Sequence, residues 1–183
     1  MNSSAGIEGE KGISAEEVIE LLGLKLLRIE GGFFRETYRS PEEVTTDVLS
    51  ERYGKSGTPG KALGTAIYYL LTPETFSALH RILTDEAYHF YLGDPVIMLQ
   101  LHRDGSSDLT TLCQGLGRGQ KVQVVVPHGT WHGSHLGDGG RFALLGSTMA
   151  PGFDFSDYAH GEREALFMKF PDRRKLIERL TKP

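Results

Sequence analysis

The chain has 183 residues but only one cysteine, Cys113, and one tryptophan, Trp131. A single thiol cannot close an intramolecular disulfide, and no zinc-ribbon spacing is present, so the core has to hold the fold. Long apolar runs are missing too. The longest, Ala66 to Leu71, is far short of the roughly 20 residues a bilayer requires. The first dozen residues carry Gly, Ser and Glu and no apolar stretch of the secretory kind. A basic excess is also absent: 20 Lys+Arg against 24 Asp+Glu leave a net charge of −4, which advertises no surface to nucleic acid. These absences predict a cytoplasmic, disulfide-free protein with neither nucleic acid nor membrane as partner.

Glycine is plentiful. Twenty-three glycines and eight prolines cut the chain into short segments rich in Val, Ile, Tyr and Leu. Strands are expected at 64–71, 76–82, 86–92, 96–102, 109–113, 122–126, 130–136 and 141–149, with turn signals such as Gly93-Asp94-Pro95 and Asp104-Gly105 between them. That spacing predicts an antiparallel sandwich or barrel. A capping box, Ser14 with Glu17, opens an N-terminal helix over about 14–23, stopped by Gly23. Leu176, Ile177 and Leu180 predict a C-terminal helix over about 172–181. Residues 1–13 read as a flexible N-terminus and 14–183 as one domain with its barrel over about 30–155. Residues 40–63 form a long polar excursion.

Several motifs fail on context. Gly115-Leu116-Gly117-Arg118-Gly119 lacks the strand–helix crossover of a dinucleotide site. Glu86-x-x-His89 lacks the preceding His of a zinc protease, because that position is Asp85. Cys113 has no flanking cation to activate it and reads as a small core residue.

What survives is a pair of blocks. His80 is followed by Glu86 and then Gly93, and downstream stand Pro127, Gly129 and His132. The pair resembles the two motifs of the cupin superfamily, His-x-His…Glu…Gly and Pro-x-Gly-x-x-His. The second His of the first motif falls on Ile82, which cannot bind a metal. Glu30-Gly31-Gly32-Phe33-Phe34-Arg35-Glu36-Thr37-Tyr38-Arg39-Ser40 resembles the opening of one cupin family of unknown function, cupin 5. Thr65 to Leu71, Phe76 to Arg81, Asp85 to Pro95, Pro127 to Trp131 and Ala150 to Phe155 resemble its further blocks. The resemblance implies a mainly β protein: a double-stranded β-helix (jelly-roll) barrel, commonly a homodimer, with a pocket inside.

By that resemblance His80, Glu86 and His132 stand at the centre of the site. Strand alternation places Phe76, Ala78 and Ile82 on the face of His80, Tyr88 and Phe90 on that of Glu86, and Thr130 and Ser134 on that of His132. His89 points outward unless a bulge shifts it. Arg35 and Arg81 are candidate anion clamps, and Arg35, Tyr38, Phe76, Arg81, Tyr88, His89, Phe90, Thr130 and Ser134 are candidate ligand-binding residues. His102, His128, His135 and His160 stand by turns and read as solvated. Gly152 to Phe155 is either a rim loop or an aromatic plug.

Three functions fit. The leading one is an isomerase or epimerase acting on a small, polar, sugar-like metabolite, with His80 as base. In the second, His80, Glu86 and His132 hold a divalent metal (Fe, Mn, Ni or Zn) as the facial triad of a cupin oxygenase. The third is a non-catalytic small-molecule binding or sensing protein.

Overall fold

The computed structural model describes residues 12–54 and 59–182. The expectation of a flexible segment falls mostly on 1–11, outside the described residues, as does the middle of the 40–63 excursion at 55–58.

Ser14 caps α1 (Ala15–Leu22) by accepting from the Glu17 amide while Glu17 accepts from the Ser14 amide, and Gly23 closes it in the left-handed region. The first strands are β1 (Lys25–Leu26) and β2 (Phe33–Arg39). The polar excursion folds into β3 (Glu43–Thr45), a one-turn α2 (Glu51–Gly54) and β4 (Gly60–Ala62). Then come β5 (Thr65–Leu71), β6 (Phe76–Arg81), β7 (Glu86–Gly93), β8 (Val96–Leu101), β9 (Ser107–Leu112), β10 (Gln123–Val126), β11 (Trp131–Leu136) and β12 (Ala143–Met149). A short β13 (Ala159–His160) precedes α3 (Arg163–Lys169) and α4 (Arg174–Arg179). The sequence reading expected a single helix over about 172–181, and α3 was not foreseen. Phe170-Pro171 breaks the C-terminal stretch in two, because proline cannot continue a helix that has already begun.

The strands pair antiparallel in two main sheets, β1-β2-β5-β12-β7-β10 and β13-β6-β11-β8-β9, with β3-β4 as a separate ribbon. The antiparallel sandwich or barrel expected from turn spacing is thus a jelly roll, the architecture that the cupin resemblance implies. Alternation sorts the apolar residues into layers. Tyr69, Leu71, Tyr88, Phe90, Met98, Val126 and Leu145 meet between the sheets. On the outside of the five-stranded sheet, Leu79, Leu99 and Leu101 pack against Leu166, Phe167, Ile177 and Leu180 of α3 and α4. Val18 of α1 covers Leu70 and Leu144 on the outside of the six-stranded sheet. Both helical ends are therefore lids on sheet faces, and the barrel interior is left to the site. Among the described residues no helix is long and apolar enough to cross a membrane.

Candidate functional site

Facing strands set the central group. His80 on β6 lies opposite His132 on β11, and both look inward across the barrel at Glu86, the first residue of β7. All three are buried, and their ligating atoms lie within 4.8 Å of one another. The imidazole centroids are 4.1 Å apart.

Each imidazole is anchored in the same way. His80 Nδ1 is 2.8 Å from the carbonyl of Ala78, and His132 Nδ1 is 3.2 Å from that of Thr130. A carbonyl can only accept, so both Nδ1 atoms carry hydrogen and each Nε2 is left for the interior, where His80 lines the cavity and His132 faces Glu86. There the two rings differ. His132 Nε2 is 3.0 Å from Glu86 Oε2, a hydrogen-bonded ion pair. His80 Nε2 has Glu30 Oε2 at 3.9 Å, beyond hydrogen-bond reach. Ser147 donates to the other oxygen of Glu86.

Electrostatics follow the same division. Burial penalises a charged Glu86, but the bond and charge of His132 outweigh it and hold the carboxyl below its usual value. For His132, burial is likewise overcome, by Glu86, and the ring is raised. Burial prevails at His80, which is lowered despite the opposing pull of Glu30.

Glu30 comes from the connection between β1 and β2. Its Oε1 accepts from Ser77 at 2.5 Å, and its carbonyl accepts from the Ala78 amide at 3.0 Å. That amide is available because β6 is bulged: His132 faces His80 but Ser134 faces Ser77, so one extra β6 residue sits between them. Tyr158, just before β13, lays its ring on His80 at 5.0 Å and 13°. Burial, then the charges of Glu30 and Glu86, push its hydroxyl up, and the hydroxyl has no hydrogen-bond partner among the described residues. The β13–β6 register sets His160 opposite His80, making a row of three histidines across β13, β6 and β11.

The cavity next to this cluster measures about 100 Å³, room for roughly half a dozen waters or a ligand of that size. Its walls are mostly apolar, with Leu27, Ile29, Phe34, Ile67, Ile82 and Met149 prominent, and Phe153 and Phe155 close the wall as a T-shaped pair. The Gly152 to Phe155 segment thus forms a rim, with Phe155 60% exposed. Glu36 and Arg39 also line the cavity and pair with each other, while Arg39 donates to the Phe153 carbonyl.

The other sequence-derived candidates scatter. Thr130 contributes its carbonyl, and Tyr88 meets the His132 ring in a T-shaped contact with centroids 5.8 Å apart. Phe90 belongs to the inter-sheet core. Ser134 is buried beside Ser77, its hydroxyl unpartnered among the described residues. Phe76 corrects the parity expectation, because the β6 bulge turns it outward onto the α3–α4 layer. Arg81 lies over Trp131 at 4.6 Å, and Arg35 over Tyr68 at 5.7 Å. Tyr38 is 55% exposed. None of these four lines the cavity, so neither arginine stands where an anion clamp was expected. His89 bonds Thr148 and Gln123, away from the cavity. His135 is buried rather than solvated and donates to the Leu136 carbonyl. His160 is half-buried.

The sequence matches the family described as "Cupin superfamily (DUF985)" over residues 16–161. The chain belongs to this cupin family. A relative in Saccharomyces cerevisiae, the uncharacterized protein YML079W, is 31% identical over 153 residues, 79% of this chain and 75% of the yeast protein. Protein SO0799 of Shewanella oneidensis superposes with a TM-score of 0.80 at 29% identity, covering 94% of this chain and 99% of its own. A hypothetical protein from Leishmania major gives 0.81 at 27% identity, over 93% and 100%. A cupin 2 barrel protein of Rhodopseudomonas palustris shares the fold at 12% identity, with a TM-score of 0.53 over 84% of this chain and 81% of its own. Within the cupin frame, Ile82 occupies the place of a histidine ligand and lines the cavity wall as an apolar residue.

Proposed function

We propose that this cupin is a pocket enzyme of isomerase type, moving a proton on a small metabolite, with His80 as base and the His132–Glu86 unit as acid. One observation carries the reading. Two imidazoles fixed by the same backbone device differ at Nε2, bare in His80 and hydrogen-bonded to a carboxylate in His132. Neighbouring groups held in opposite protonation states are the arrangement proton transfer requires. Directions of titration agree, with His80 lowered and His132 raised. Apolar walls favour a compact substrate with an apolar body over a polyhydroxylated sugar.

The test is deuterium uptake. Small ketones, esters and amides in D2O are followed by proton NMR with wild type and His80→Asn. Uptake next to the carbonyl that His80→Asn abolishes supports the reading. No uptake from any compound, with ligands still bound, leaves a binding or sensing protein instead.

A second reading is favoured by the convergence of three ligating atoms within 4.8 Å. Nδ1–H bonds to backbone carbonyls are what orient metal-binding histidines, and His80, Glu86 and His132 together would hold Fe, Mn, Ni or Zn. Such an ion would supply Lewis-acid polarisation and open positions for substrate or oxygen. His132 would then give up its Nε2 proton, while Ser147 and Thr130 keep the carboxylate and the ring in place. Elemental analysis of untagged protein, with His132→Ala as control, decides it. Near-stoichiometric metal lost in the variant supports this reading, and none after anaerobic reconstitution retires it.

A further inference from the structure

We propose that Glu30 is a specificity-determining residue, and that the cavity takes a small primary amine whose amine-bearing carbon adjoins a carbonyl. The inference rests on the proton-transfer reading above and names the substrate class for it.

Glu30 is held too firmly for a surface carboxylate. Ser77 fixes one oxygen, the bulge amide of Ala78 fixes the backbone, and the next two residues are glycines in positive φ, at +113° and +67°. A Cβ on Gly31 would overlap the Phe76 carbonyl oxygen, and one on Gly32 would come within 2.8 Å of the Tyr69 ring. The connection can reach the site only with glycine at both positions. The result is a carboxylate oxygen delivered to the cavity wall, 3.9 Å from His80 Nε2.

Charge balance then selects the ligand. Among the acidic residues lining the cavity, Glu86 is paired with His132 and Glu36 with Arg39. Glu30 has no Lys or Arg within 4.0 Å among the described residues, only the His80 ring. A carboxylate between apolar walls repels an anionic group and favours a cation. The rings of Tyr158, Phe153 and Phe155 line the same space, and aromatic rings suit an ammonium as well.

The separation fixes where the cation sits. Two acceptors 3.9 Å apart can engage adjacent atoms of one ligand, with an amine nitrogen roughly 2.8 Å from Glu30 Oε2 and its neighbouring carbon roughly 3.3 Å from His80 Nε2. The C–H on that carbon is the one His80 would take. The C–H electron pair passes into the adjacent carbonyl as an enolate, and the proton returned from the His132 side restores the carbon, so atoms and electrons balance without a co-reactant. Amino ketones and amino amides fit, while a free carboxylate would meet Glu30.

The probe is valinamide, against its hydroxyl isostere 2-hydroxy-3-methylbutanamide, with binding read by NMR titration of the labelled histidines and α-deuterium uptake read in the same tubes. Wild type should bind the amine at least about ten-fold more tightly. Glu30→Gln keeps an acceptor for Ser77 and should bring the two within about two-fold, with melting curves confirming that the variant is folded. Equal binding in wild type, or an amine preference that survives in Glu30→Gln, overturns the inference. α-Deuterium uptake without amine preference would overturn it while leaving the proton-transfer reading standing. A Glu30-dependent preference without uptake would uphold Glu30 as the selector and remove the reading of His80 as a base. Failure of both compounds to bind overturns the inference and leaves the proton-transfer reading to its own test with the ketones and esters.

Discussion

His132 Nε2 lies 3.0 Å from Glu86 Oε2, with both side chains at least 95% buried. An ion pair so enclosed ties stability to pH. Glu86 is lowered below its ordinary 4.5 because His132 outweighs the cost of burial. Its contribution is complete above about pH 4.5 and is lost as pH falls through the lowered folded value. His132, raised above 6.5 by Glu86 against burial, contributes fully below about pH 6.5 and is lost as pH rises through the raised folded value. Burial lowers His80 from 6.5, so its contribution is complete above about that pH and is lost on acidification through its own folded value. The pair thus favours about pH 4.5 to 6.5, and His80 erodes the acid side of that window. Melting temperatures of wild type and His132→Gln from pH 4 to 8.5 should diverge, the alkaline fall being present in wild type and missing in the variant. Parallel curves would show that the pair carries no such linkage.

Much of this was legible in the sequence, and the failures have separate physical causes. Turn signals delimit the strands from β5 to β12 well, because glycine and proline punctuate them. His80, Glu86 and His132 were found from the resemblance to the two cupin motifs, and the structure brings them together. Inference from strand parity failed at β6, where the strand gains a residue. The β6 bulge turns Phe76 outward, and a second irregularity between Glu36 and Tyr38 on β2 sets Glu36 and Arg39 on one face, with Tyr38 outside. The bulged residues themselves include no glycine or proline, and the glycine packed against the β6 bulge, Gly133, lies on the partner strand β11. Glu30 stands in the opening block of the resemblance but at no position of the two metal motifs, so only the folded connection brings its carboxylate to His80. Tyr158 and Ser147 carried no signal, since only the folded sheet brings them to His80 and Glu86.

Gly31→Ala tests whether that close approach is real. At φ +113° the new methyl would overlap the Phe76 carbonyl oxygen, and backbone cannot yield as a flexible side chain does. A loss of about 2–4 kcal/mol in urea unfolding is expected from strain plus overpacking, with altered His80 imidazole resonances as Glu30 is displaced. Gly139→Ala is the control. Its φ is +76° but nothing lies within 4 Å of the added carbon, so about 1 kcal/mol is expected and no change at His80. Equal losses at the two glycines would mean that the Glu30 connection is not clamped on β6.

Lys61 Nζ and Asp157 Oδ2 form a second buried pair, at 2.5 Å with side chains 1% and 2% exposed. It joins β4 to the turn that delivers Tyr158, and Lys61 also stands 5.8 Å from the Tyr53 ring. The pair is imperfect. Asp157 Oδ1 has no hydrogen-bond partner among the described residues, and burial raises the Asp157 carboxyl even though Lys61 pulls the other way. For the Asp157 carboxyl burial outweighs the pull of Lys61, which predicts a pair that sets register more than it adds stability. Lys61→Met leaves a lone buried carboxyl and should cost about 3–5 kcal/mol, whereas Lys61→Met with Asp157→Leu should return to within about 1 kcal/mol of wild type. Chemical unfolding of the two singles and the double closes the cycle. If the double variant is as unstable as the sum of its singles, Lys61 and Asp157 do not couple and the reading of a buried pair fails. In the single variant the freed turn should also loosen the Tyr158 ring from His80, visible as a shift of the His80 resonances. Recovery of stability in the double variant without recovery of that shift would show that the pair's work is to position Tyr158.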